Sequence, residues 1–154
     1  MEIIKAKFED LPQILELQKL SYLSEAEIHN NYSIQPLIQT LDELEIEFKK
    51  NTILKLLDNK NNEIIGSIRA YEENNRVYIG KLIVNPDYQN RGFGTNLLKT
   101  IETIFPNKIY ELFTSSKSEK NLYLYKKYGY KEFKRQKTPD NIEIIFLEKI
   151  VEKV

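Results

Sequence analysis

The sequence predicts a mixed α/β fold, and three stretches carry that reading. Residues 77–84 are mostly apolar and β-branched, which suits a central strand, and Pro86 closes the run because it cannot donate to a ladder. From Phe93 onward the apolar residues fall at Phe93, Leu97, Leu98, Ile101, Ile104 and Phe105, the spacing of one helical face. Upstream, residues 52–57 and 63–71 read as two strands joined by the turn Asn59-Lys60-Asn61-Asn62, so an antiparallel meander leads into the central strand.

The remaining elements follow in order. Residues 2–8 alternate loosely and form a first strand. Asp10 is placed as an N-cap with Pro12 in the first turn and Gln13 completing a capping box. Leu11, Ile14, Leu15, Gln18 and Tyr22 trace one side of the helix that follows. Residues 21–35 are polar and irregular. Pro36 restarts a helix with the face Leu37, Leu41, Leu44 and Phe48. Residues 72–75 turn the chain into the central strand. After the helix at Phe93, Pro106 and Asn107 stop it, and residues 109–114 form another strand. Residues 118–128 form a short helix ended by Gly129 in a left-handed cap. Residues 130–136 and 142–150 pair as a final hairpin.

Composition bounds the function. The chain has 154 residues, 23 basic and 23 acidic, so no global charge draws it to nucleic acid or a membrane surface. It is expected to be one domain, residues 1–154, with a real core. Absence of cysteine excludes disulfides, thiolate metal sites and a cysteine nucleophile. The N-terminus lacks a signal-peptide pattern and no apolar run approaches a membrane span, so the expectation is a cytoplasmic protein.

Between the central strand and its helix lies the turn Gln89-Asn90-Arg91-Gly92-Phe93-Gly94-Thr95. A helix that opens there presents unpaired N–H groups and the positive end of its dipole in one direction, which suits a phosphate. Gly92 and Gly94 let an anion approach the backbone. The turn fails the dinucleotide fingerprint, because Leu97 stands where the third glycine belongs, and it lacks the Gly-Lys-Ser/Thr ending of a nucleotide-triphosphate loop.

Gln89-Asn90-Arg91-Gly92-Phe93-Gly94 resembles the Gln/Arg-x-x-Gly-x-Gly/Ala signature of the GNAT superfamily of N-acetyltransferases. Leu82-Ile83-Val84-Asn85-Pro86-Asp87-Tyr88 is similar to the strand that leads into that signature. Leu124-Tyr125-Lys126-Lys127-Tyr128-Gly129-Tyr130 is similar to the family's later Leu-Tyr-x-Lys-x-Gly-Phe/Tyr segment. The resemblance implies a mixed, mostly antiparallel central sheet flanked by helices, in the order β-α-α-β-β-β-α-β-α-β-β, with two strands splayed to admit acyl-coenzyme A. It implies acetyl-CoA as cofactor, coenzyme A as product and no metal. The acetyl group would pass to a primary amine of a small cationic molecule by direct attack in a ternary complex.

By the same resemblance the backbone of Leu82, Ile83 and Val84 pairs with the pantetheine arm, almost as an added strand. Gln89, Asn90, Arg91, Gly92, Phe93, Gly94 and Thr95 hold the pyrophosphate, and Ser118 and Asn121 also contact the cofactor. Tyr125 is the proton donor to the leaving thiolate, since a phenol with an unperturbed pKa of about 10 is protonated at neutral pH. Tyr123, Tyr128 and Tyr130 crowd the same segment, so plain packing is the competing role. Many relatives carry a glutamate on the central strand just before the Leu82 position, where Gly80 and Lys81 stand here. The general base therefore stays open among Glu25, Glu27, His29, Tyr78 and a water chain.

Balanced totals hide a segregation of charge. Residues 20–48 hold six acids and no Lys or Arg; residues 117–137 hold eight basic residues against two acids. Bases suit coenzyme A phosphates, and acids attract a cationic amine. Residues 42–47 also fit the wet face of an amphipathic helix, but Glu25 and Glu27 lie outside it. Glu25, Glu27 and Tyr78 are the candidate substrate residues. The expected partner is a small-molecule amine, not nucleic acid or membrane, with the protein a monomer or homodimer. A second reading is a GNAT-fold module that binds an acyl-coenzyme A without catalysis.

Overall fold

The computed structural model describes residues 1–151. Its centre is a seven-stranded sheet with the spatial order β1-β2-β3-β4-β5-β7-β6. The strands are β1 (Glu2–Lys5), β2 (Thr52–Asp58), β3 (Glu63–Glu73), β4 (Arg76–Val84), β5 (Ile109–Ser115), β6 (Lys131–Lys137) and β7 (Glu143–Ile150). Neighbouring strands run antiparallel except β4 and β5. A parallel neighbour needs a crossover, and α5 (Phe93–Ile104) supplies it. The β3–β4 hairpin turns on Asn74 and Asn75, both at positive φ (52° and 65°), which asparagine tolerates better than most residues.

Helices cover both faces. On one face, Leu97, Leu98 and Ile101 of α5 and Tyr125 of α6 (Glu119–Lys127) pack on Leu54, Leu56, Ile68, Val77, Ile79 and Leu147. On the other, Leu11, Ile14, Leu15 and Leu17 of α1 (Leu11–Ser21) and Leu44 of α4 (Leu41–Lys50) pack on Ile53, Ile64 and Ile83. Each such side chain contributes roughly 1.5–3 kcal/mol by leaving water. Among the described residues no helix is long and apolar enough to cross a membrane.

The helical region between β1 and β2 differs from the sequence expectation. Residues 21–35, read as irregular, contain α2 (Leu23–His29). The helix expected from Pro36 is two: α3 (Gln35–Ile38) and α4, separated at Gln39–Thr40. Thr40 causes the break. Its hydroxyl accepts from the Glu43 N–H (3.2 Å) while Glu43 accepts from the Thr40 N–H (2.9 Å), a reciprocal capping box that starts a new helix. Asp10 does not cap α1 with its side chain. Its carboxylate turns back to the Lys7 N–H (2.7 Å) and to the Lys55 ammonium (2.8 Å).

At the far edge, all seven residues of β6 are exposed. Four of them, Lys131, Lys134, Arg135 and Lys137, are basic, and such charges oppose edge-to-edge pairing.

Candidate active site

β4 and β5 pair only at Arg76–Ile109, Val77–Tyr110 and Tyr78–Glu111. β4 then runs on to Val84 and β5 to Ser115 without meeting, so the sheet opens at the carboxyl ends of both strands. A bulge in β4 accompanies the opening: Ser67 faces Ile83 and Arg69 faces Gly80, which leaves Lys81 and Leu82 opposite the single residue Ile68. Lys81 absorbs the extra residue at φ +50°. A bulge re-aims side chains, and here it turns Leu82 and Val84 toward the α5 face while Ile83 packs on α1.

The chain leaves β4 through Asn85 and a single 3-10 turn, Pro86–Tyr88. The Gln89 side chain donates to the Val84 carbonyl (3.1 Å) and accepts from the Lys120 ammonium (2.9 Å), tying the turn to both β4 and α6. Gly92 caps α5 at φ +82° and offers no side-chain acceptor to the first turn. The amides there stay available, as a helix N-terminus leaves them. At Gly94 an added Cβ would stand 3.3 Å from Leu124, so glycine lets α5 approach α6.

These parts enclose a groove of about 450 Å³ between the turn, β4 and α6. Of the residues expected to hold the cofactor, Leu82, Val84, Gln89, Asn90, Gly92, Phe93, Gly94, Thr95 and Asn121 line it. Ile83, Arg91 and Ser118 are not among the lining residues. Ile83 buries its side chain under α1. Arg91 lies over the Tyr88 ring. Ser118 is 3% exposed and donates to Glu25 (2.5 Å). Sequence reasoning did not single out Lys99, Lys120 and Lys127, which bring three cations to the same groove. The excess of basic residues after position 117 was the available signal. An open helix N-terminus, apolar walls and three ammonium groups fit a long ligand with an apolar arm and several phosphates.

On the opposite side of the opening, α2 is fastened across the gap. Glu25 takes the Ser118 hydroxyl, His29 Nε2 lies 2.6 Å from the Ser115 hydroxyl, and Asn31 donates to Asp140 (2.9 Å). The candidate substrate residues therefore separate. Glu25 reaches the opening, Glu27 faces solvent, and Tyr78 stacks on Tyr71 at 5.1 Å where β4 and β5 part.

Tyr125 comes from α6 and is 6% exposed. Burial raises its phenol well above the ordinary tyrosine range, with Tyr22 and Glu25 adding to the shift, so it holds its proton at neutral pH. Tyr22 is pushed up to about 12 by burial, opposed by Arg69 and helped by Glu25.

Arg69 of β3 was not foreseen. It is 3% exposed and donates to Glu47 (2.7 Å), Gln39 (3.3 Å) and Gln18. Lys81 lies within the field of Arg69; burial first, and then that guanidinium, lowers its ammonium to about 8, against the pull of Glu47.

The comparisons with known proteins agree with this geometry. The sequence profile of the Acetyltransferase (GNAT) family matches residues 11–130. No curated protein matches the chain in sequence. Among solved structures, the PaiA N-acetyltransferase of Thermoplasma acidophilum in complex with coenzyme A has a TM-score of 0.78 at 21% identity, covering 97% of this chain and 98% of that one. An Escherichia coli ribosomal-protein alanine N-acetyltransferase has a TM-score of 0.81 at 14% identity, covering 99% and 95%. A spermidine N-acetyltransferase chimera of Vibrio cholerae SpeG and hSSAT has a TM-score of 0.72 at 17% identity, covering 97% and 96%. At such identities the structural likeness is one of fold. The profile, however, spans most of the chain and takes in the signature turn, the splayed strands and the Tyr125 helix, so this protein belongs to the GNAT acetyltransferase family.

Proposed function

We propose that this protein is an N-acetyltransferase that moves the acetyl group of acetyl-CoA to a primary amine of a small, cationic molecule by direct attack in a ternary complex. The carrying observation is a single continuous opening. It joins a phosphate-suited helix N-terminus to the unpaired end of β4, and its α6 wall is the helix that carries Tyr125. The donor's thioester supplies the activated acetyl group. The amides at the start of α5, with Lys99, Lys120 and Lys127, hold its phosphates, and the free backbone edge at Leu82–Val84 takes its amide-bearing arm.

The acceptor ammonium first loses one proton to solvent; its neutral nitrogen attacks the thioester carbonyl, the carbon–sulfur bond breaks, the sulfur leaves as a thiolate, and the second proton shed by nitrogen passes through water to restore the Tyr125 phenol. Tyr125, protonated through the neutral range, gives that sulfur a hydrogen bond and a proton. Glu25, anchored by Ser118 beside Tyr125, offers its second oxygen to the incoming ammonium. Holding both reactants in one opening supplies several kcal/mol of the barrier through positioning. The spermidine acetyltransferase among the structural neighbours supports an amine acceptor.

The test is thiol release from acetyl-CoA across spermidine, lysine-like amines and aminoglycosides. The reading requires turnover with at least one of them, and activity confined to neutral or acidic amines overturns the cationic acceptor. A protein that binds acetyl-CoA by calorimetry yet releases no thiol with any amine is the binding module instead.

A further inference from the structure

The helix layer on the α1 side of the sheet stops halfway across it. The cluster beneath α1 and α4 takes strand residues from β2, β3 and β4, and none from β5, β6 or β7. α4 stands at the border. The Lys50 ammonium lies 4.1 Å over the Tyr71 ring, Tyr71 stacks on Tyr78, and Tyr78 pairs with Glu111 of β5. Beyond that border side chains alternate between faces. Tyr110, Leu112, Ile145 and Leu147 pack on the α5–α6 side, so Phe113 and Phe146 point to the other. There the Phe146 ring centre lies 5.6 Å from that of Phe113 and 6.4 Å from that of Phe133, a row across β5, β7 and β6. Phe113 is 56% exposed and Phe133 43%. A contiguous row of this kind, unlike single exposed residues, marks an interaction surface. Its border is basic. Lys134 lies over the Phe146 ring at 4.3 Å, and Lys131, Lys134 and Lys137 join none of the ion pairs of the described residues.

The chain carries the matching surface itself. α4 holds Asp42, Glu43, Glu45 and Glu47 in its first two turns and is basic only in its last. Asp42, Glu45 and Ile46 fall at i, i+3 and i+4, one stripe of the helix, and Ile46 is 67% exposed. Asp42 and Glu45 also join no ion pair of the described residues. We propose that two copies of this chain pair face to face, with α4 of each seated on the Phe113–Phe146–Phe133 row of the other. Helix layer and bare strands share one face of the sheet, so a two-fold axis along the border places each helix layer over the other copy's bare strands. Ile46 then meets aromatic rings at the centre, while Asp42 and Glu45 meet the β6 lysines at the rim, the usual arrangement of an interface. The contact forms twice and closes. A head-to-tail contact would leave one patch bare at each end and grow into chains. The pairing is independent of the acetyl transfer proposed above.

The experiment is sedimentation velocity of the full chain from about 1 to about 300 μM, the span of a pair of modest affinity. Wild type is expected to pass from monomer to dimer and no further. Phe113→Glu, which sets a charge in the apolar centre, should raise the dissociation constant about a hundredfold. Two charge reversals test the partner. Asp42→Lys with Glu45→Lys, and Lys131→Glu with Lys134→Glu, should each weaken the dimer about tenfold alone. Mixed in equal amounts they should dimerise as wild type does, because both contacts of the mixed pair again join opposite charges. A wild type that stays monomeric throughout, or that keeps growing past the dimer, overturns the proposal. So does a dimer indifferent to Phe113→Glu, which then pairs through another face, or a mixture no tighter than its components. If Phe113→Glu does not fold, as judged by circular dichroism, the mixed reversals decide.

Discussion

Tyr125 packs in the core and is the proposed acid, and a single substitution separates the two. Phenylalanine keeps the packing against α6's neighbours and removes only the hydroxyl. Tyr125→Phe is therefore expected to lower kcat about a hundredfold with unchanged affinity for acetyl-CoA, read by thiol release and calorimetry; full turnover would remove Tyr125 as the acid. Gly92 tests the backbone alone. An added Cβ there meets nothing within 4 Å, so Gly92→Ala suffers only from its φ of +82°. We expect a loss of about 1–2 kcal/mol in urea denaturation and weaker coenzyme A binding. Lys81 predicts a pH effect. Its folded value, about 8, lies below that of the unfolded chain, so between pH 8 and about 10 the unfolded chain binds the extra proton and stability rises with pH. The rise should be on the order of 1–3 kcal/mol in the wild type and absent from Lys81→Met. Below pH 8 both states are charged and the two proteins should run parallel.

The elements show where the sequence speaks and where it does not. β4, its polar turn and α5 were legible because their signals agree: β-branched run, proline stop, glycines, then apolar residues at helical spacing. The break before α4 is written in Thr40 and Glu43, but Leu37, Leu41, Leu44 and Phe48 share a helical period that runs through it and masks the cap. Thr40→Ala should cost about 1 kcal/mol in thermal or urea unfolding, because it orphans the Glu43 amide. α2 has no apolar face to announce it; only Ala26 of it is buried, and its anchors, Ser115 and Ser118, lie some ninety residues away. Separation in sequence also hid Arg69, whose partners come from α1, the Gln39 linker and α4, 22 to 51 residues away. The bulge at Lys81 was invisible for a different reason. It shifts the inward–outward alternation by one residue, and the run Leu82-Ile83-Val84 that follows is apolar at every position, so nothing in the sequence marks the shift.

Across the whole molecule, the balanced charge resolves into two fields. Lys99, Lys120 and Lys127 line the groove, whereas α4 with its acids lies on the other side of the sheet and Glu25 stands at the opening, bonded to Ser118. Affinity for coenzyme A should fall about tenfold as salt rises from about 50 to about 500 mM, and less steeply in a Lys120→Met, Lys127→Met double variant, measured by calorimetry. The outermost strand, β6, has another consequence. Its ladder of unpaired main-chain groups is guarded only by the positive charge of its lysines and arginine. Thioesters acylate lysine slowly without any catalyst, and each such adduct removes one guard. A protein that works among activated acyl groups thereby erodes its own protection against stacking, and preparations stored with their donor should turn turbid before those stored without it.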